Sequence, residues 1–299
     1  MDTFLACLAE AWTNEKSPEI LDICKDINLF RKTEETFEMS GGAVQGLVLL
    51  VKKLKVEKLN LNGIIISSSN AKLIASECLT KNNFLKIVKL KSFLSPDAVA
   101  AICEGLSDML HIESIDLSCC HYSDQGLQAI ANLLHENKGA IKHLHLGNCF
   151  DIEYTKMKHI EYLTKFQEIC EAQPASEESI KNLILSLENA DELTDLSLPC
   201  SCVGTTCFQD WINMFSENTT LSHVMIFVEK LTKDVLDNFV HLVNNHMTQL
   251  KSLKIVTKTA NHDLEEDILH VKESVEKLEL SISDPTYSTS SFQRLLSTA

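Results

Sequence analysis

The stretch IESIDLSCC, residues 112–120, sets apolar side chains at Ile112, Ile115 and Leu117 and ends on Cys120. The same L-x-x-L-x-L spacing returns in VEKLNLNG (56–63), IKHLHLGNC (141–149) and LTDLSLPCS (193–201). Alternate residues of a β-strand point to the same face, so the second and third apolar positions of the motif lie on one side of a strand. The recurrence therefore predicts a short strand, repeated many times, with one buried face.

Eight copies of the motif can be aligned, and their first positions are Val56, Leu85, Ile112, Ile141, Leu193, Leu221, Leu250 and Val275. The steps between them are 29, 27, 29, 52, 28, 29 and 25 residues. The step of 52 is close to two periods. Self-similarity at a period of 20–50 residues is typical of repeat architectures.

Helical patterns lie between the predicted strands. Val99, Ile102 and Leu106 recur at helix spacing, and Ser95 before Pro96 is a helix N-cap signal. Equivalent start signals are Ser123 and Thr232. Because one strand–helix unit cannot bury its own apolar face, the units must stack on one another. We therefore predict an α/β fold, a right-handed αβ solenoid with a parallel sheet on its concave face and helices on its convex face.

These motifs resemble the leucine-rich repeat family, and the period near 28 with a full helix per unit is similar to its ribonuclease-inhibitor-type subclass. The match covers roughly residues 40–283. The resemblance implies a horseshoe whose recurrent leucine-type positions face the core. It also implies that Cys120 and Cys149 occupy the place where the family uses Asn or Cys to satisfy backbone groups at the bend.

Two segments depart from the repeat. Residues 150–176 have a helical pattern but no clear strand motif, although Phe166 and Ile169 are a candidate degenerate one, so we expect a distorted or enlarged repeat there. Residues 1–39 are predicted to form an N-terminal helical cap, with helices in TFLACLAEAW (3–12) and SPEILDICKDI (17–27). The repeat domain then covers residues 40–299, and a final helix with Phe292, Leu295 and Leu296 is expected to cap its far end.

The composition argues against several classes of protein. The net charge is −15, and Arg31 and Arg294 are the two arginines of the chain, which disfavours binding to a nucleic-acid backbone. Eleven cysteines are scattered through apolar segments, as expected of reduced thiols in a cytoplasmic protein. The N-terminus has no basic region of a signal peptide, and no apolar run reaches the ~20 residues needed to cross a bilayer.

Motifs for phosphate loops, dinucleotide binding, zinc proteases and serine hydrolases do not occur in the sequence. The best polar cluster is His143 and His145, which share a strand face, with Asp116 about 5 Å away on the preceding strand. Two imidazoles and a carboxylate suit zinc or acid–base chemistry, but a solvated polar sheet face is the more economical interpretation. We therefore predict no enzymatic activity, no cofactor and no metal.

The outward strand positions carry five Lys, two Asp and one Glu, so this face is net basic in an acidic chain. Such contrast favours a protein partner with a neutral or acidic surface, with Met225 and Phe227 as an exposed apolar anchor. The oligomeric state is left open. The predicted contact residues are Lys58, Lys89, Lys91, Asp116, His143, His145, His223, Met225, Phe227 and Lys254.

Three functional classes follow. Helices followed by such repeats resemble the C-terminal part of nucleotide-binding, leucine-rich-repeat receptors of innate immunity, which implies a ligand-sensing or autoinhibitory role for a fragment or truncated relative. A free-standing inhibitor or scaffold similar to ribonuclease inhibitor is the alternative. A small-GTPase-activating protein is the third class, and the end of the chain, TYSTSSFQRLLSTA, has no acidic tail that would support it.

Overall fold

A computed structural model of the chain is described for residues 26–28, 37–91, 94–137, 139–147, 175–199, 207–247, 249–260 and 277–282. It is an α/β structure with a nine-stranded parallel sheet whose strand order follows the chain. The strands are β1 Asp26–Asn28, β3 Lys58–Asn60, β5 Ile87–Lys89, β6 Ser114–Asp116, β7 His143–His145, β8 Asp195–Leu198, β9 His223–Leu231, β10 Ser252–Ala260 and β11 Lys277–Ile282. A separate parallel pair consists of β2 Phe37–Glu38 and β4 Ile64–Ile65.

Helices connect the strands. They are α1 Gly41–Lys53, α2 Ser68–Ile74, α3 Pro96–Ser107, α4 Asp124–Glu136, α5 Glu177–Glu188, α6 Phe208–Glu217 and α7 Lys233–Asn245, and α2 continues into a π-helical turn at Ala75–Leu79. The predicted N-caps begin α3, α4 and α7. Ser95 Oγ accepts the Ala98 N–H at 3.4 Å, and Thr232 Oγ1 accepts the Val235 N–H at 3.4 Å. Ser123 precedes α4 without a capping bond from its hydroxyl.

One continuous core lies between the sheet and the helices. Leu59, Val88, Ile115 and Leu144 are aligned across four adjacent strands, and all four are fully buried. The thiol of Cys120, also buried, donates to the Ser118 carbonyl at 3.9 Å, so this cysteine does satisfy a backbone group at the bend. All eight predicted motifs form strands that pair in the predicted order, which confirms the parallel α/β arrangement.

The residues just before four adjacent strands alternate in charge. They are Glu57, Lys86, Glu113 and Lys142. Lys86 Nζ lies 3.8 Å from Glu57 Oε2, and Lys142 Nζ lies 3.5 Å from Glu113 Oε2. The carbonyl of each of the first three accepts two N–H groups from the next strand, as when Glu57 O accepts from Lys86 at 2.8 Å. These turns thus fix the register of neighbouring units.

The step of 52 residues is a single enlarged unit. Strand β7 pairs directly with β8, and α4 packs directly against α5. Asp124 Oδ1 accepts the Ser176 N–H at 2.6 Å, which holds the start of α5 beside the start of α4. Strands β7 and β8 are neighbours in the sheet, and the candidate degenerate motif at Phe166 and Ile169 falls outside the described residues.

The extra length of this unit lies in one connection. Residues 90–95 link β5 to α3 and residues 117–123 link β6 to α4, whereas residues 146–176 link β7 to α5. The connections from β5 to α3 and from β6 to α4 have the length usual in α/β units. The connection from β7 to α5 is longer than these by about 24 residues. Residues 148–174 lie outside the described part of the chain.

The N-terminal prediction needs correction. Asp26 and Ile27, assigned from sequence to the end of a helix, belong to β1, which pairs with β3 and buries Ile27 in the core. The rest of the predicted helices at 3–12 and 17–27, and the capping residues Phe292, Leu295 and Leu296, fall outside the described residues. Within the ranges that are described, no helix has the length and apolar character to span a membrane.

Candidate functional site

The side of the sheet facing away from the helices carries polar side chains, and we call it the open face. It is defined by strand residues that are half-buried or exposed: Lys58, Asn60, Ile87, Lys89, Asp116, His143, His145, Asp195, His223, Met225, Ser252 and Lys254. These positions alternate with the buried core positions along each strand. The open face is therefore the polar complement of the core pattern.

A row of three side chains crosses strands β7, β8 and β9. Asp195 lies in register between His143 and His223. Its Oδ2 lies 2.9 Å from His143 Nδ1, and its Oδ1 lies 3.6 Å from His223 Nδ1. Thr194 Oγ1 donates to the same Oδ2 at 2.6 Å. One carboxylate thus links two imidazoles on a surface that solvent reaches.

Ser222 lies beside this row, with its Oγ 2.9 Å from His223 Nδ1. Ser222, His223 and Asp195 have the residue types of a nucleophilic triad, but a relay needs the serine and the acid on different ring nitrogens. Here both contacts fall on Nδ1, which can hold one proton or one lone pair. This geometry does not form a Ser-His-Asp relay.

Asp116 and His145 occupy neighbouring register positions on β6 and β7, as the sequence predicted. Burial lowers the pKa of His145 from its ordinary value, and the nearby carboxylates of Asp116 and Asp195 oppose that shift. Asp116 Oδ1 accepts the Ser118 N–H at 3.0 Å, so this carboxylate also closes the turn after β6. In the described ranges, no three His, Cys, Asp or Glu side chains are grouped to hold a metal ion.

Phe227 is not the exposed anchor that the sequence predicted. Its side chain is 4% exposed. The ring crosses the sheet toward β7, where a Cβ built on Gly147 would lie 2.5 Å from Phe227 Cε2 and 2.7 Å from Ser197 Oγ. Gly147 follows β7 and has no side chain. The Phe227 ring, which belongs to β9, can therefore extend past β8 and pack against Gly147. Met225, by contrast, remains half-buried on the open face.

The predicted lysines occupy two regions of the open face. Lys89 lies in register between Asn60 on β3 and Asp116 on β6, and Lys58 lies beside Ile87. Lys91 follows β5, and its N–H donates to Asn62 Oδ1 at 2.9 Å. Lys254 lies beside Met225 at the other end. The open face therefore has lysines toward both ends and the His–Asp–His row between them.

Asp195 is the functional candidate that sequence reasoning did not select. In the sequence it falls 52 residues after His143, a step close to two periods, so it was left open whether a further strand lay between the two. The signal was available in the motif itself, since Asp195 and His143 hold the same place in their copies.

Comparison with known proteins adds no assignment. No protein-family model matches the chain, and no curated protein sequence matches it.

Proposed function

We propose that this chain is a non-enzymatic module that recognises another protein through the open face. The proposed architecture is a right-handed αβ solenoid of the leucine-rich repeat type, in which the open face is concave. The observation that carries the proposal is the sheet itself, with nine strands in chain order and a constant register from one unit to the next. Stacked units of this kind build long binding surfaces.

The chemistry of the open face supports recognition. Its side chains are lysines, histidines, carboxylates, Asn60 and Ser252, with Ile87 and Met225 as half-buried apolar members, and they occupy equivalent places on successive strands. Polar groups at fixed spacing supply specificity, while an apolar side chain such as Met225 supplies binding energy. Lysines lie toward both ends of the open face, whereas the rest of the chain is strongly acidic. This contrast of charge favours a partner whose contact surface is neutral or acidic.

The wider role that we propose follows the resemblance to nucleotide-binding, leucine-rich-repeat receptors. In that setting the module senses a ligand or holds its receptor inactive, and it acts in the cytoplasm. The cysteines support a reducing compartment, since Cys78, Cys103, Cys119, Cys120 and Cys207 are free thiols buried in the structure.

Site-specific photo-crosslinking tests the proposal. A photoreactive residue replaces Met225 on the open face, and in a matched protein it replaces Leu185, which is 56% exposed on helix α5. We expect a protein partner to be captured from the first position and not from the second. Capture only from Leu185 would place binding on the helices and contradict the proposal.

Kinetics with the captured partner then test the role of charge. Reversing Lys89 and Lys91 to Glu should slow association and weaken its dependence on salt, whereas Met225→Ala should mainly speed dissociation. Unchanged rate constants in all these variants would remove the open face from the interaction.

A further inference from the structure

A second surface lies at the edge where strands β3 and β5 begin, outside the open face. It consists of exposed side chains from the end of helix α1 and from the turns before β3, β5 and β6, and we call it the basic edge. Its members are Lys52, Lys53, Lys55, Lys81, Phe84, Lys86 and Leu110.

The charge of this region is opposite to that of the chain. The basic edge has five lysines, and the acidic residues of the segment 52–91 are Glu57 and Glu77, whereas the whole chain has a net charge of −15. A local field of this sign acts within a Debye length, about 8 Å at physiological salt. The basic edge is therefore an isolated positive patch on a negative protein.

Ion pairs neutralise part of the patch. Lys52 pairs with Glu77, and Lys86 Nζ lies 3.8 Å from Glu57 Oε2. Lys53, Lys55 and Lys81 form no ion pair within the described part of the chain, and all three are exposed. These lysines leave a net positive charge at the turns.

Two large apolar side chains lie among these lysines. Phe84 is 46% exposed and Leu110 is 71% exposed. Lys55 Nζ lies 5.9 Å from the centroid of the Phe84 ring, a cation–π contact that holds charge and ring together. Phe84 comes three residues before β5 and Leu110 four residues before β6, and these two strands are neighbours in the sheet. Neighbouring strands are about 4.8 Å apart, so we infer that one ligand can reach both apolar side chains.

We propose that the basic edge binds an acidic polypeptide segment that carries a large apolar side chain. The carboxylates of the segment pair with Lys53, Lys55 and Lys81, and its apolar side chain packs against Phe84 and Leu110. Solvent-exposed ion pairs alone give little affinity, and the apolar contact adds the burial that holds the segment in place. The surface is separate from the open face, so this proposal stands whether or not the open face binds a partner.

A short acidic segment fits better than a nucleic acid or a membrane. Both of those present extended arrays of negative charge, which would meet the acidic remainder of the protein as well as the basic edge. The patch also lacks arginine, the side chain that recognises phosphate with two parallel hydrogen bonds. A segment of a few residues contacts the positive patch alone.

Fluorescence anisotropy with synthetic peptides tests the proposal on the full chain. The probe is a labelled peptide of about 12 residues, in which Asp and Glu surround two leucines. This length lets the extended peptide span neighbouring strands of the sheet. We expect saturable binding that weakens with salt. A peptide with both leucines changed to Ser should bind about tenfold more weakly, as should the probe to the double variant Lys55→Glu, Lys81→Glu. The control Lys233→Glu, Lys251→Glu makes the same change in net charge elsewhere and should bind as the unmodified protein does.

The apolar half of the site has its own test. The variant Phe84→Ser, Leu110→Ser should lose affinity for the leucine peptide and keep its affinity for the serine peptide, while Leu185→Ser should alter neither. Circular dichroism checks that each variant is folded. Absence of saturable binding by the leucine peptide, or equal binding by the Lys55/Lys81 variant and its control, would overturn the proposal. Tighter binding of duplex RNA or of phosphatidylserine vesicles through the same lysines would overturn it in favour of those ligands.

Discussion

Replacing Gly147 with alanine tests the packing of Phe227 across the sheet. The new Cβ would lie 2.5 Å from Phe227 Cε2 and 3.0 Å from Phe227 Cζ. Ordinary van der Waals contacts begin near 3.4 Å, so the ring must move by about 1 Å or more from a site where it is nearly fully buried. Overpacking of this kind typically reduces stability by about 1–3 kcal/mol.

Urea unfolding monitored by circular dichroism measures the loss of stability, and thermal unfolding gives a second reading. For a chain of this size each 1 kcal/mol lowers the melting temperature by about 2–4 °C. Gly41→Ala is a matched control, because a Cβ on Gly41 meets nothing within 4 Å and the residue begins helix α1. We expect that control to be neutral or slightly stabilising.

A second substitution makes the test specific. Phe227→Leu removes the part of the ring that lies over Gly147, so the double variant should be less destabilised than the sum of the two single changes, with a coupling of about 0.5–3 kcal/mol. If Gly147→Ala proves as harmless as Gly41→Ala, or if the two effects simply add, the ring does not lie on Gly147 and the buried assignment of Phe227 is wrong.

Three further predictions concern the core, the pH response and the enlarged unit. Leu117→Ala should destabilise the protein by about 2–5 kcal/mol in urea unfolding, because the side chain is fully buried, and a loss below about 1 kcal/mol would contradict its place in the core. Burial lowers the pKa of His145 from 6.5, so the unfolded chain takes up a proton first and stability should fall as the pH drops below that value. His145→Gln should lessen the loss of stability between pH 7.5 and 5.5, and an equal loss in this variant would contradict the lowered pKa. Deleting residues 149–172 should leave the protein folded by circular dichroism and unaggregated by size-exclusion chromatography, because β7 already pairs with β8. A loss of folding would show that the segment supports the sheet.

Much of the fold could be predicted because the motif encodes it directly. A leucine-type residue at three fixed positions specifies a strand with one buried face, and an N-cap such as Ser95 marks the helix that follows. Strand β1 escaped this reasoning. Its register places Ile27 beside Leu59, so in the sequence Cys24 falls at the first position of the motif. A cysteine at that position is a weak strand signal, and the preceding residues SPEILDI have a helical pattern.

The candidate site was less accessible from sequence, since its contacts depend on which strands are neighbours. His143 and Asp195 are 52 residues apart, and only the direct pairing of β7 with β8 brings them together. The burial of Phe227 depends on a glycine two strands away. The alternation of apolar and polar residues along one strand predicts the face of the sheet on which a side chain lies. It does not predict whether residues on neighbouring strands are small enough for that side chain to be buried against them.

The alternating row of Glu57, Lys86, Glu113 and Lys142 bears on how such an array can change length. Removing one of these units, or copying one in tandem, would set two like charges side by side at the start of adjacent strands. Copying or removing two units together keeps every neighbour opposite in charge. Each exposed pair contributes about 0.2–1 kcal/mol, so the preference is modest at each of the two junctions where a pair forms, Glu57–Lys86 and Glu113–Lys142. We expect relatives of this chain to differ in this region by pairs of units more often than by single ones.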